Sequence, residues 1–184
     1  MEQIDKKKLV TTARQQVENG FPQEALRIYQ DILAIDPEYP QALHDLGMIQ
    51  FDAGNISEAI SLLKEATQRD DKRTDFHNNL GTVLKASGDL AAAEKAFRKA
   101  LTLDKNLVPA LVNIGSLLIE RGQIPAALKA LKRAIELAPK NSTALSSYAE
   151  ANKATGNIIE ALKSQLQAAS VNPLVDFIWL NLAN

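Results

Sequence analysis

The sequence predicts an all-α fold, a solenoid of antiparallel helix pairs stacked in line. Three observations predict it: a fixed period, columns of small residues held in that period, and breakers placed at the same two points of every unit. When the 184-residue chain is slid against itself in steps of 34, Gly20, Gly54, Gly88, Gly122 and Gly156 coincide without insertion or deletion. Seven residues upstream a second column holds Ala13, Gly47, Gly81, Gly115, Ala149 and Ala183, and the two columns together contain all eight glycines. A third column is pure alanine (Ala25, Ala59, Ala93, Ala127, Ala161), and a fourth reads Ile32, Ala66, Ala100, Ala134, Ala168. A period of this size belongs to stacked repeats, each burying its apolar face against its neighbours in one elongated core.

Each unit reads as two helices. In the second copy, PQALHDLGMIQFDAG places Leu43, Leu46 and Gly47 on one helical face. Gly54 ends that helix, because glycine takes the left-handed backbone without a steric penalty. Asn55 with Glu58, and Asn157 with Glu160, have the spacing of a capping box for the second helix. Pro125 suits a first turn, where a missing N–H costs nothing. The second helix, ISEAISLLKEATQRD, turns Ala59, Leu62, Leu63 and Ala66 inward, and the Gly47 column is expected to pack against the Ala59 column. Pro37, Pro139 and Pro173 close their units, with Asp71 and Lys105 in the same column of the other two.

Composition narrows the function. Apolar residues make up 46% and charged residues 23%, as in a soluble folded chain. A formal net charge of −1 gives no basic footprint for nucleic acid and no polybasic membrane patch. No cysteine is present, so disulfides and thiolate chemistry are excluded. The basic start MEQIDKKKLVTTARQQ lacks the apolar run of a signal peptide, and no stretch reaches the ~18 to 20 apolar residues of a membrane span. A cytoplasmic location is therefore expected. His44 and His77 are the only histidines and neither has a second ligand one turn away, so no metal is expected. The glycine-rich phosphate and dinucleotide motifs are absent, as is a nucleophile elbow. Neither a cofactor nor a catalytic residue is expected.

The unit resembles the tetratricopeptide repeat: Leu-Gly in the first helix, then a small and a large apolar residue in the second, then proline. HNNLGTVLKASGDLAAAEKAFRKAL and LVNIGSLLIERGQIPAALKALKRAI carry the resemblance best, whereas Thr12 and Ala13 replace Leu-Gly in the first copy. The repeats fall at 6–39, 40–73, 74–107, 108–141 and 142–175, with a partial sixth at 176–184. The resemblance implies one right-handed superhelical α-solenoid over 1–184, a scaffold whose first helices line a concave groove for an extended peptide segment of a partner protein. Carried over, the groove residues are His44, Asp45, Met48 and Phe51, then Asn78, Asn79 and Thr82, then Asn113 and Ser116, then Ser147. Asn79, Asn113 and Asn181 share a column with Asp45 and Ser147, an arrangement similar to the repeats associated with O-linked N-acetylglucosamine transferases. A side-chain amide both donates and accepts, so it pairs with a peptide backbone of any sequence; the alternative is that these asparagines only bond between neighbouring repeats. Basic residues for a carboxylate clamp are missing from the corresponding slots, among them Gln41, Asp75, Pro109 and Val112.

A second reading makes the chain the substrate-recruiting arm of a larger glycosyl-, sulfo- or methyltransferase. A third makes it a self-assembly module, because Phe177, Trp179 and Leu180 crowd apolar surface into LVDFIWLNLAN.

Overall fold

The computed structural model describes residues 5–171. Among them are ten helices in five pairs: α1 (Lys6–Glu18) and α2 (Pro22–Ile35), α3 (Pro40–Asp52) and α4 (Ile56–Arg69), α5 (Thr74–Ala86) and α6 (Leu90–Leu103), α7 (Val108–Glu120) and α8 (Ile124–Leu137), α9 (Ser142–Ala154) and α10 (Ile158–Val171). First helices have 13 residues and second helices 14, each starting 34 residues after its predecessor. The chain is an all-α solenoid of helix pairs. It divides into two compact units, Met1–Ala96 and Phe97–Asn184, with the division falling within α6.

The glycine column sets the first-helix ends. Gly20, Gly54, Gly88, Gly122 and Gly156 all have positive φ, between 70° and 87°. Around Gly54, its own N–H bonds the Phe51 carbonyl (2.9 Å) and the Asn55 N–H bonds the Gln50 carbonyl (2.8 Å). This closed pair satisfies two of the carbonyls that a helix end leaves open. The same pair recurs in every copy, for example Gly122 to Ile119 and Gln123 to Leu118, both 2.8 Å. Second helices stop at a turn: the Tyr39 N–H bonds the Asp36 carbonyl (3.1 Å) with Pro37 at the position whose φ proline pre-sets. Where proline is missing an aspartate holds the turn, Asp104 Oδ1 accepting from the Asn106 N–H at 2.9 Å.

Two local expectations are corrected. Asn55 precedes α4 but does not cap it with its side chain; Nδ2 donates instead to Gln50 Oε1 at 2.8 Å, so no capping box forms with Glu58. The amide prefers a neighbouring acceptor on α3 to a backbone donor of its own helix. Nor is the Ala59 column what crowds the glycines. A Cβ on Gly47 would lie 3.0 Å from Leu63 Cγ, and one on Gly115 would lie 2.5 Å from Leu131 Cγ. The glycine makes room for a large buried residue four positions beyond the alanine.

In the first unit the core gathers Val10, Ala13, Ala25, Tyr29, Ile32, Ala42 and Leu46, with a second cluster of Leu43, Ala66 and Phe76. In the second unit Leu111, Val112, Ala134 and Ala144 cluster between α7, α8 and α9. No helix among the described residues is long and apolar enough to cross a membrane. Phe177, Trp179, Leu180 and Asn181 lie outside the described residues.

Candidate functional site

The sequence put His44, Asp45, Asn78 and Asn79 on first helices, and the structure joins them in one network within the first unit. Asp45 is its hub. Its Oδ1 accepts from Gln41 Nε2 (2.8 Å), His44 Nδ1 (2.7 Å) and one Arg14 terminal nitrogen (3.2 Å). Its Oδ2 accepts from Arg14 Nε (2.8 Å) and the Tyr29 hydroxyl (3.1 Å). A carboxylate has about four lone-pair sites, so Asp45 is saturated by its own chain.

The side chain is only 11% exposed. Burial pushes the Asp45 carboxyl upward, but the hydrogen bonds from His44 and Arg14 outweigh it and hold the group below the usual carboxylate range. The Asp45 hydrogen bond in turn raises the Arg14 guanidinium. Burial, and then the Asp45 charge, push the Tyr29 hydroxyl upward, so it stays a donor.

From Asp45 the network runs across to α5. Asp45 can only accept, so His44 Nδ1 donates; His44 Nε2 then accepts from Asn79 Nδ2 at 3.0 Å, and Asn79 Oδ1 accepts from Asn78 Nδ2 at 3.2 Å. The imidazole stacks on Phe76 with centroids 4.3 Å apart and ring planes at 12°. Arg73 lies 4.4 Å over the same Phe76 ring, a cation–π contact. Arg73 also donates to Gln41 Oε1 (2.8 Å) and binds Asp75 through two nitrogens (2.9 and 2.6 Å). Burial raises the Asp75 carboxyl, but the Arg73 pair brings it below its ordinary value. Thr82 Oγ1 returns to the Asn78 carbonyl at 3.2 Å.

Two shallow cavities adjoin the Arg14–Asp45 pair. One, of about 330 Å³, is walled by Lys7, Val10, Arg14, Tyr39 and Arg73. The other, of about 230 Å³, is walled by Val17, Met48 and Ile49 with Asp45 and Asp52 at its polar side. Met48 therefore lines a cavity, while Phe51, one turn on, is half-buried outside it. In the second unit Asn113 and Ser116 sit half-buried on α7 and Ser147 on α9.

Sequence reading missed Arg14, Tyr29 and Arg73. Tyr29 occupies the column of Leu63, Phe97 and Leu131 and reads as core; its hydroxyl is the one signal of a second role. Among the described residues no group of histidines and carboxylates could hold a metal ion.

Comparison with known proteins agrees with this architecture. The family profile for the tetratricopeptide repeat matches residues 16–80. The profile for the cilia and flagella-associated protein 70 middle TPR-like domain matches residues 53–173. Comparison with curated proteins finds no match. Among solved structures, MamA is 24% identical with a TM-score of 0.77 over 89% of this chain and 96% of its own. The pilF protein of Pseudomonas aeruginosa is 15% identical with a TM-score of 0.84 over 91% of this chain and 76% of its own. YrrB, described as a TPR protein with an unusual peptide-binding site, is 21% identical with a TM-score of 0.72 over 90% of this chain and 85% of its own. The recurring Leu-Gly and alanine columns, the 34-residue helix pairs and the matched profiles make this chain a member of the tetratricopeptide repeat family.

Proposed function

We propose that the chain is a protein–protein interaction scaffold that binds an extended peptide segment along the face formed by its first helices. The observation that carries this reading is the pair of side-chain-sized cavities adjoining the Arg14–Asp45 pair in the first unit. Peptide ligands of this kind give affinity through anchors seated in pockets, with specificity set by a few fixed polar groups. The Met48 cavity, with its Val17 and Ile49 walls, takes an apolar anchor. The neighbouring cavity, lined by Lys7, Arg14 and Arg73 together with Gln41 and Asp70, takes a polar side chain or backbone group. Because internal bonds saturate Asp45, its role is to hold these walls in place. Asn78, buried at 8% exposure, and Thr82 brace α5. Half-buried Asn79, whose amide has two donors and two acceptor sites, is the group that meets the ligand's backbone. Within the second unit, Asn113 and Ser116 on α7 and Ser147 on α9 hold the corresponding first-helix positions.

The test is site-specific photo-crosslinking, with a benzophenone amino acid at Met48 or at exposed Lys64 on α4. The proposal expects a partner polypeptide to be labelled from Met48 and not from Lys64. Equal labelling from both positions contradicts it.

A further inference from the structure

Along the second helices, two columns face solvent in every repeat. One reads Gln23, Ser57, Ala91, Pro125 and then Ile159; the other reads Gln30, Lys64, Arg98, Lys132 and then Leu166. Between them runs a column of Leu26, Ile60, Glu94 and Leu128, all half-buried, and then Leu162, which is exposed. Only the fifth repeat fills all three with large aliphatic side chains. On α10, Ile159 and Leu166 are each 71% exposed, Leu162 59% and Ile158 51%. The other exposed large apolar residues, such as Phe21 and Ile35, are spread over other helices and their ends.

We propose that α10 pairs with α10 of a second copy of this chain. The stripe Ile159, Leu162, Leu166, Ala169 has the 3–4–3 spacing of a coiled-coil seam, the pattern that keeps one apolar edge facing a partner helix. A two-fold contact uses the same patch on both copies, so a continuous apolar stripe is its own complement. Charge does not oppose the pairing. Glu160 and Lys163 are the only charged side chains on α10, and they face each other at 3.9 Å along the helix. With this balance, nothing on α10 selects a strongly acidic or basic partner instead. The four exposed side chains present on the order of 400 Å² of apolar surface, the size at which a surface patch is commonly functional. That is roughly half of the ~800 Å² per partner in a standard interface, so the dimer is weak and concentration-dependent. It uses no residue of the proposed peptide-binding face.

The absence of cysteine makes the test clean, because one introduced thiol is the only site for a disulfide. Leu162→Cys places it in the seam, and Lys64→Cys places it at an equally solvent-facing position of α4, in the column that Leu166 occupies on α10. Under mild oxidation of the full chain, Leu162→Cys gives several-fold more covalent dimer than Lys64→Cys, and adding Leu166→Lys abolishes the excess. Sedimentation equilibrium of the wild-type chain shows mass rising above 20.1 kDa with concentration, and Ile159→Glu with Leu166→Lys returns it to that value with helicity retained. Equal crosslinking from both cysteines overturns the proposal, as does a wild-type chain that stays monomeric throughout. A dimer that survives the double substitution but is lost in Trp179→Asp also overturns it, by assigning association to the C-terminal end.

Discussion

Alanine at Gly115 and at Gly47 offers one chemical change in two copies of the same helix position, with opposite outcomes. Both glycines lie in the interior of a first helix, where alanine is better by about 1 kcal/mol on propensity alone. At Gly47 the new Cβ would stand 3.0 Å from Leu63 Cγ and 3.3 Å from Leu62 Cβ. A shift of a few tenths of an ångström relieves that, so the gain and the strain nearly cancel. At Gly115 the new Cβ would stand 2.5 Å from Leu131 Cγ and 2.7 Å from Cδ2, closer than real Cβ contacts come, and Leu131 is completely buried. Overpacking a tight core costs about 1–3 kcal/mol, which exceeds the propensity gain. Gly115→Ala should therefore lose up to about 2 kcal/mol, about 1 kcal/mol at the middle of that range, while Gly47→Ala stays within about 0.5 kcal/mol of the wild type. Urea titrations followed by far-UV circular dichroism measure both, and Leu131→Ala in the Gly115→Ala background should recover part of the loss as a coupling of about 1 kcal/mol. Equal effects at the two glycines, or no coupling to Leu131, would refute the packing assigned to this column.

The alanine column gives a matching test: Ala127→Leu and Ala93→Leu, both at fully buried sites, should each cost about 1–3 kcal/mol, while Ala86→Leu at an exposed site should be nearly silent in the same titration. Asp45→Asn should destabilise by about 2 kcal/mol at neutral pH, because hydrogen bonds to a charged acceptor are lost. The folded-state carboxyl lies below its unfolded value, so this stabilisation is present above about pH 4 and disappears as pH falls through the folded value. The stability difference between wild type and Asp45→Asn should shrink towards acid pH, and a difference independent of pH would contradict the hub. Asn79→Ala leaves His44 Nε2 without its donor and should cost about 1 kcal/mol, read from thermal melts; a neutral effect would show that the link across to α5 is idle.

Helix boundaries were legible because a single device marks them in every copy: glycine with positive φ ends each first helix, and five repetitions remove ambiguity. What crowds a small-residue column was not legible. A glycine announces that something comes close but does not name it, and Leu63 and Leu131 look like ordinary core in the sequence. The polar network was half legible. His44, Asp45 and Asn79 fall on first-helix faces by period, yet Arg14 reaches Asp45 from 31 residues away and Tyr29 from 16, offsets that no column comparison joins. Asn55 shows the same limit at short range: its amide serves as donor or acceptor equally well, and only the nearby Gln50 decides which.

Hydrogen–deuterium exchange of the chain, free and saturated with a crosslinked partner peptide, tests the central claim most directly. The account predicts added protection confined to first-helix segments, strongest in α1, α3 and α5 where the cavities and the Asp45 network lie, with α2 and α4 unchanged. Protection concentrated on the second helices, with α3 exchanging as in the free chain, would contradict it.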